Sequence, residues 1–83
     1  MELLDFYADW CGPCQMMKPV VEEFEKAHPE ITIKRINIDD EEDLAEKYNV
    51  AGIPCFVLEK DGKEVAREVG MLSMKKLEKM LES

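Results

Sequence analysis

Two cysteines separated by two residues, Cys11 and Cys14, are the residues best suited to chemistry in this chain. They stand in the run Trp10-Cys11-Gly12-Pro13-Cys14. A pair spaced this way can open and close a disulfide reversibly, and the attacking species is a thiolate. Cys11 falls at the start of a predicted helix, where unpaired N–H groups and the helix dipole favour negative charge on sulfur. That makes Cys11 the candidate nucleophile. Cys14 lies three residues on, on the same helix face and deeper. It is the candidate resolving thiol, attacking the Cys11 sulfur of a mixed disulfide and releasing reduced product. Asp5 and Asp9 are nearby carboxylates that oppose the lowering of a thiol pKa. Asp5 stands in the middle of an apolar run, where an unpaired carboxylate is costly and burial raises its pKa.

The same cysteines invite a metal-binding reading. Zinc takes four ligands, and the soft candidates are Cys11, Cys14, Cys55 and His28. His28 is 17 residues along from Cys11; at ~1.5 Å rise per residue that is roughly 25 Å down one helix. A four-ligand site within one chain is disfavoured, while a metal or iron–sulfur cluster shared by two chains stays open. Cys55 is read as a small buried residue opening a strand, with a third reactive thiol near Cys11 as the competing reading. Met16, Met17, Met74 and Met80 are read as core and rim.

The elements that must hold these residues follow from the pattern of the chain. Leu3 to Ala8 is a short apolar run that reads as a central strand buried on both faces. Helical spacing follows over Cys11 to Ala27, with Pro13 suited to the first turn and Pro19 expected to loosen or kink the helix. Ile31 to Ile38 reads as the next strand, and Glu41 to Tyr48 as a helix capped by Asp40, with Asn49 left-handed after it. Cys55 to Glu59 and Glu64 to Val69 form a hairpin about Lys60-Asp61-Gly62-Lys63. Ser73 caps a last helix with apolar positions Met74, Leu77 and Leu81. The order is βαβαββα, an α/β fold. Helical connections predict that the first three strands run parallel.

Composition bounds the rest. With 83 residues the chain is expected to be a single domain spanning 1–83. The net charge of −8 argues against nucleic acid and against an anionic membrane surface. Three cysteines make a poor disulfide framework for a secreted chain. No basic leader precedes an apolar run, and no stretch approaches the ~18 apolar residues of a membrane helix. A cytoplasmic location is expected.

The chain resembles thioredoxin. The residues that carry the resemblance are Asp5-Phe6-Tyr7-Ala8-Asp9-Trp10-Cys11-Gly12-Pro13-Cys14, Pro19, Asn37-Ile38-Asp39, Gly52-Ile53-Pro54 and Gly70. The resemblance implies a minimal thioredoxin fold, a four-stranded mixed sheet flanked by three helices, without the family's usual first strand and helix. It implies a protein dithiol–disulfide oxidoreductase, needing no bound cofactor because the electrons rest on Cys11 and Cys14. Asp5 would accept a proton from Cys14 through water. Pro54 would be a cis-proline facing the cysteines, and the Ile53 backbone would pair with substrate peptide. Trp10, Gly12, Pro13 and Gly70 would complete the docking surface, while Tyr7 would pack under the motif or join the core. The implied partners are disulfide-containing proteins and a thioredoxin-reductase-type electron donor, with the chain acting as a monomer. Two departures bear on tuning: Cys55 where the family usually has threonine, and Arg35 where it commonly has lysine. A glutaredoxin-like, glutathione-dependent reductase is the alternative within the class. The Trp-Cys-Gly-Pro-Cys loop and the acidic composition speak against it.

Overall fold

The computed structural model describes residues 1–83. The elements are β1 (Glu2–Tyr7), α1 (Gly12–Ala27), β2 (Thr32–Asn37), α2 (Glu42–Lys47), β3 (Cys55–Lys60), β4 (Lys63–Val69) and α3 (Met74–Met80). They form one four-stranded sheet in the order β2-β1-β3-β4. The apolar β1 lies inside the sheet, as its burial on both faces requires: Leu3, Leu4, Asp5 and Phe6 are all buried.

Strand direction corrects one expectation. β2 runs parallel to β1, but β3 runs antiparallel to it, with Cys55 opposite Phe6 and Glu59 opposite Glu2. The reason is the length of α2. Six helical residues rise about 9 Å, whereas returning beside a strand of six residues needs roughly 20 Å. The chain therefore starts β3 at the end of the sheet where β2 stopped. That brings the 53–54 turn to the same end as the cysteine motif. The sheet is mixed, as the resemblance implied.

Alternation along the strands divides the core between the two faces. Leu3, Phe56 and Leu58 point to α1 and α3, where they meet Met17, Val21, Phe24, Leu77 and Met80. Leu4, Phe6, Ile36, Cys55 and Val57 point to the other face, under Leu44 and Tyr48 of α2 and its C-terminal end. Full burial of a side chain such as Phe24 is worth about 1.5–3 kcal/mol in transfer terms, so α1 is held by its buried stripe rather than by propensity. Pro19 lies inside α1, which nonetheless continues to Ala27.

The turns behave as their residues dictate, with one exception. Asp61 and Gly62 both have positive φ, the geometry of a two-residue hairpin turn. Asn49 is left-handed after α2. Ser73 Oγ accepts the N–H of Lys76 and caps α3. Asp40, however, does not cap α2. The N-cap is Glu41, without a side-chain bond. The N–H groups of Asp40 and Glu41 both donate to the carbonyl of Asn37, a turn that moves the helix start one residue past the position an Asp40 cap requires.

Candidate active site

The site forms at the end of the sheet where β1 leaves and α1 begins. Cys11 is the N-cap of α1 in extended conformation, with Pro13 in the first turn. Its Sγ accepts the N–H of Cys14 at 3.2 Å. Cys11 and Cys14 are joined as a disulfide, with their Cα atoms 5.2 Å apart. Their sulfurs share a small cluster with Ala8, against which Tyr7, Ile38 and Ile53 pack.

The pair is more recessed than the sequence suggests. Cys11 is 6% exposed and Cys14 7%, while Trp10 beside them is 69% exposed. Gly12 and Pro13 are exposed as well. The motif is therefore at the surface, but the sulfurs lie beneath its rim. Trp10, Gly12 and Pro13 form the exposed rim beside them.

The 53–54 turn faces this rim. The Ile53–Pro54 bond is cis, and the Ile53 carbonyl oxygen lies 4.0 Å from Cys11 Sγ. Gly70 donates its N–H to the Pro54 carbonyl at 2.8 Å and has φ +97°. A side chain at that φ would be strained, and the space around the missing Cβ is open. Gly70 is thus both a required turn residue and a bare patch beside the turn. Val69 and Met71 flank it as exposed apolar side chains.

Beneath Cys14 lies a cleft of about 290 Å³ lined by Asp5, Tyr7, Asp9, Cys14, Gln15, Lys18 and Arg35. Asp5 is 7% exposed. Burial pushes its carboxyl up to about 6, and the Arg35 guanidinium, its partner in the β1–β2 register, acts in the opposite direction. A carboxyl poised there can exchange a proton near neutral pH.

Cys55 does not join the site. It is fully buried against Leu4, Phe6, Ile36 and Val57, on the face opposite Asp5, and burial pushes its thiol up. No third His, Cys, Asp or Glu stands with a pair of such groups at metal-ligating distance. His28 lies at the far end of α1, bonded to Glu30 and Glu78. Met17 and Met80 are core residues and Met16 is exposed.

The sequence reading passed over a set of polar links around the motif. Asp39 accepts the indole N–H of Trp10 at 2.8 Å, and Asn37 bonds both Asp9 and the backbone of Asp39. Gln15 donates to the Asp9 carbonyl, and Lys18 lines the cleft. The run Asn37-Ile38-Asp39, part of the resemblance, was the signal that could have found the first two.

Comparison with known proteins agrees with this geometry. The family model described as Thioredoxin matches residues 1–83. The thioredoxin of Chlamydia pneumoniae is 51% identical over 69 residues, covering 83% of this chain and 68% of that protein. The thioredoxin of Chlamydia trachomatis is 46% identical over 79 residues, covering 95% and 78%. Among solved structures, oxidised mitochondrial thioredoxin 3 of Saccharomyces cerevisiae superposes with a TM-score of 0.91 at 36% identity, covering 98% of this chain and 76% of that one. Fasciola hepatica thioredoxin gives 0.91 at 41% identity, covering 98% and 78%. A recessed cysteine pair at a helix start, a proline turn facing it and this likeness lead to one conclusion: the chain belongs to the thioredoxin family, oxidoreductases that act on protein disulfides through a redox-active dithiol.

Proposed function

We propose that the reaction runs from Cys11 to Cys14 with Asp5 as the proton acceptor. With the pair reduced, Cys11 carries a thiolate, favoured by the start of α1 and by the Cys14 N–H aimed at its sulfur. The thiolate attacks one sulfur of a protein disulfide. A bond forms between the two sulfurs, the substrate S–S bond breaks, and the second substrate sulfur leaves as thiolate. Cys14 then gives its proton to ionised Asp5 through water in the shared cleft, which is polar and roomy enough for several waters. The Cys14 thiolate attacks Cys11 Sγ and expels the first substrate sulfur. Two electrons pass to the substrate, and the Cys11–Cys14 disulfide remains. A thioredoxin-reductase-type donor returns the chain to the dithiol.

Docking is assigned to Trp10, Gly12, Pro13, Ile53, Pro54 and Gly70. The Ile53 carbonyl close to Cys11 suits main-chain pairing with an extended peptide. Exposed Trp10 and the bare Gly70 patch leave room on either side. The chain works as a monomer that carries electrons in the cytoplasm. A reducing compartment suits a pair used for reduction and an unpaired Cys55. No helix is long and apolar enough to cross a membrane.

The observation that carries the assignment is the Cys11–Cys14 pair at the start of α1, with Asp5 in the cleft beneath it. Insulin reduction with dithiothreitol as donor tests it. Cys11→Ser is expected to abolish turnover; turnover at the wild-type rate would overturn the assignment.

A further inference from the structure

Asn37, at the end of β2, takes no part in the exchange just described, yet every polar group of its side chain is engaged beside the redox loop. The residue stands opposite Tyr7 in the β1–β2 register. Its Oδ1 accepts the N–H of Asp39 at 2.9 Å. Its Nδ2 donates to Asp9 Oδ2 at 3.4 Å. The first bond closes an Asx turn over residues 37–39. Asp39, placed by that turn, accepts the indole N–H of Trp10 at 2.8 Å. Asn37 thus reaches both residues that precede Cys11: Asp9 directly, and Trp10 through Asp39.

Trp10 is 69% exposed. An exposed side chain without a partner samples several rotamers, and ordering it on binding costs free energy. The bond to Asp39 selects one orientation before any partner arrives. We propose that Asn37 is a positioning residue for macromolecular substrates: it fixes Asp39, and so presets the Trp10 indole beside Cys11. A docking polypeptide then meets an ordered surface. A small disulfide that reaches Cys11 without leaning on Trp10 gains nothing. The inference rests on the reading of Trp10 as a substrate contact.

The test compares insulin with a small disulfide, 5,5′-dithiobis(2-nitrobenzoic acid). Asn37→Ala removes both bonds, whereas Asn37→Asp keeps the acceptor for the Asp39 N–H. Asn37→Ala is expected to raise KM for insulin about fivefold, the scale set by shifting one side chain's ordering cost into the binding step. The rate on the small disulfide and the kcat for insulin should stay within about twofold, and the Trp10 indole N–H resonance should shift. Asn37→Asp, measured beside the wild type at about 1 M salt, where the Debye length falls to about 3 Å and its charge is screened from Asp9, should return the resonance and the KM toward wild type. Asp39→Ala lies in an exposed turn and repeats the comparison should the strand-end variant fold poorly. An unchanged insulin KM in both Asn37→Ala and Asp39→Ala would overturn the proposal, as would equal losses on both substrates. Trp10→Ala separates the two levels. If it leaves the insulin KM unchanged, the docking role of Trp10 has failed; if it raises KM while Asn37→Ala does not, only the positioning role has failed.

Discussion

At the scale of the residue, Asp5 sets the balance between stability and activity. It is the buried carboxylate of the central strand, and it holds its proton in the folded chain up to about 6, against 3.8 for the free side chain. Between those values the folded state binds more protons than the unfolded state. The stability from this difference is complete below 3.8 and is lost as pH rises through about 6. Once Asp5 is ionised, its burial costs about 3 kcal/mol, at 1.36 kcal/mol per pKa unit. Asp5→Asn is therefore expected to stabilise the chain by up to about 3 kcal/mol at roughly pH 8, and by nothing near pH 3, as read from urea unfolding. The same variant should slow insulin reduction by about tenfold or more, because it cannot take the Cys14 proton. A variant that is less stable at pH 8, or equally active, contradicts the role given to Asp5. This carboxyl was legible in the sequence because a charge inside an apolar run is conspicuous. The Asn37–Asp9 and Trp10–Asp39 links were not. They join residues 28 and 29 positions apart through side chains of types common in any turn.

At the scale of the element, the strand and helix patterns were legible and the directions only partly so. The run into the motif, the helix behind it and the hairpin all follow from local spacing and turn chemistry. The direction of β3 depends on length rather than on pattern: even the eight residues Glu41 to Tyr48 that the pattern predicts rise only about 12 Å, short of the roughly 20 Å of a parallel return, and the six observed rise less. The two edge strands carry charge beside their core-facing positions, Ile33 and Ile36 on β2 and Ala66 on β4. Lys34 of β2 pairs with Glu2 at 3.0 Å, and Arg67 of β4 pairs with Glu64 at 2.8 Å. Such edges resist pairing with other chains. Helix α3 adds a titratable clip. His28, the C-cap of α1, bonds Glu78 of α3 at 2.8 Å and Glu30 at 3.3 Å. The Glu78 bond raises its pKa above 6.5, burial opposes this, and Glu30 adds to the rise. A raised histidine contributes stability that is complete below 6.5 and is lost as pH rises through the folded value. Melting temperatures measured across neutral pH should fall with rising pH in the wild type and fall less steeply in His28→Gln, the slope that remains being that of Asp5. Parallel curves would show that the clip contributes nothing.

At the scale of the whole molecule, the fold gathers its chemistry at one end of the sheet. The end of β1, the start of α1, the 53–54 turn and Gly70 after β4 all meet there. The opposite end carries the 61–62 hairpin turn. The acidic surface, at a net charge of −8, keeps the molecule away from polyanions. The division of labour between the two sulfurs is the claim on which the rest depends, and trapping tests it most directly. Cys14→Ser, mixed with a protein disulfide, should accumulate a mixed disulfide through Cys11, identified by mass spectrometry of the tryptic peptide. Cys11→Ser should form none. An adduct carried by Cys14 in the Cys11→Ser variant, or the absence of any adduct at Cys11 in Cys14→Ser, would contradict the assignment of the attacking sulfur.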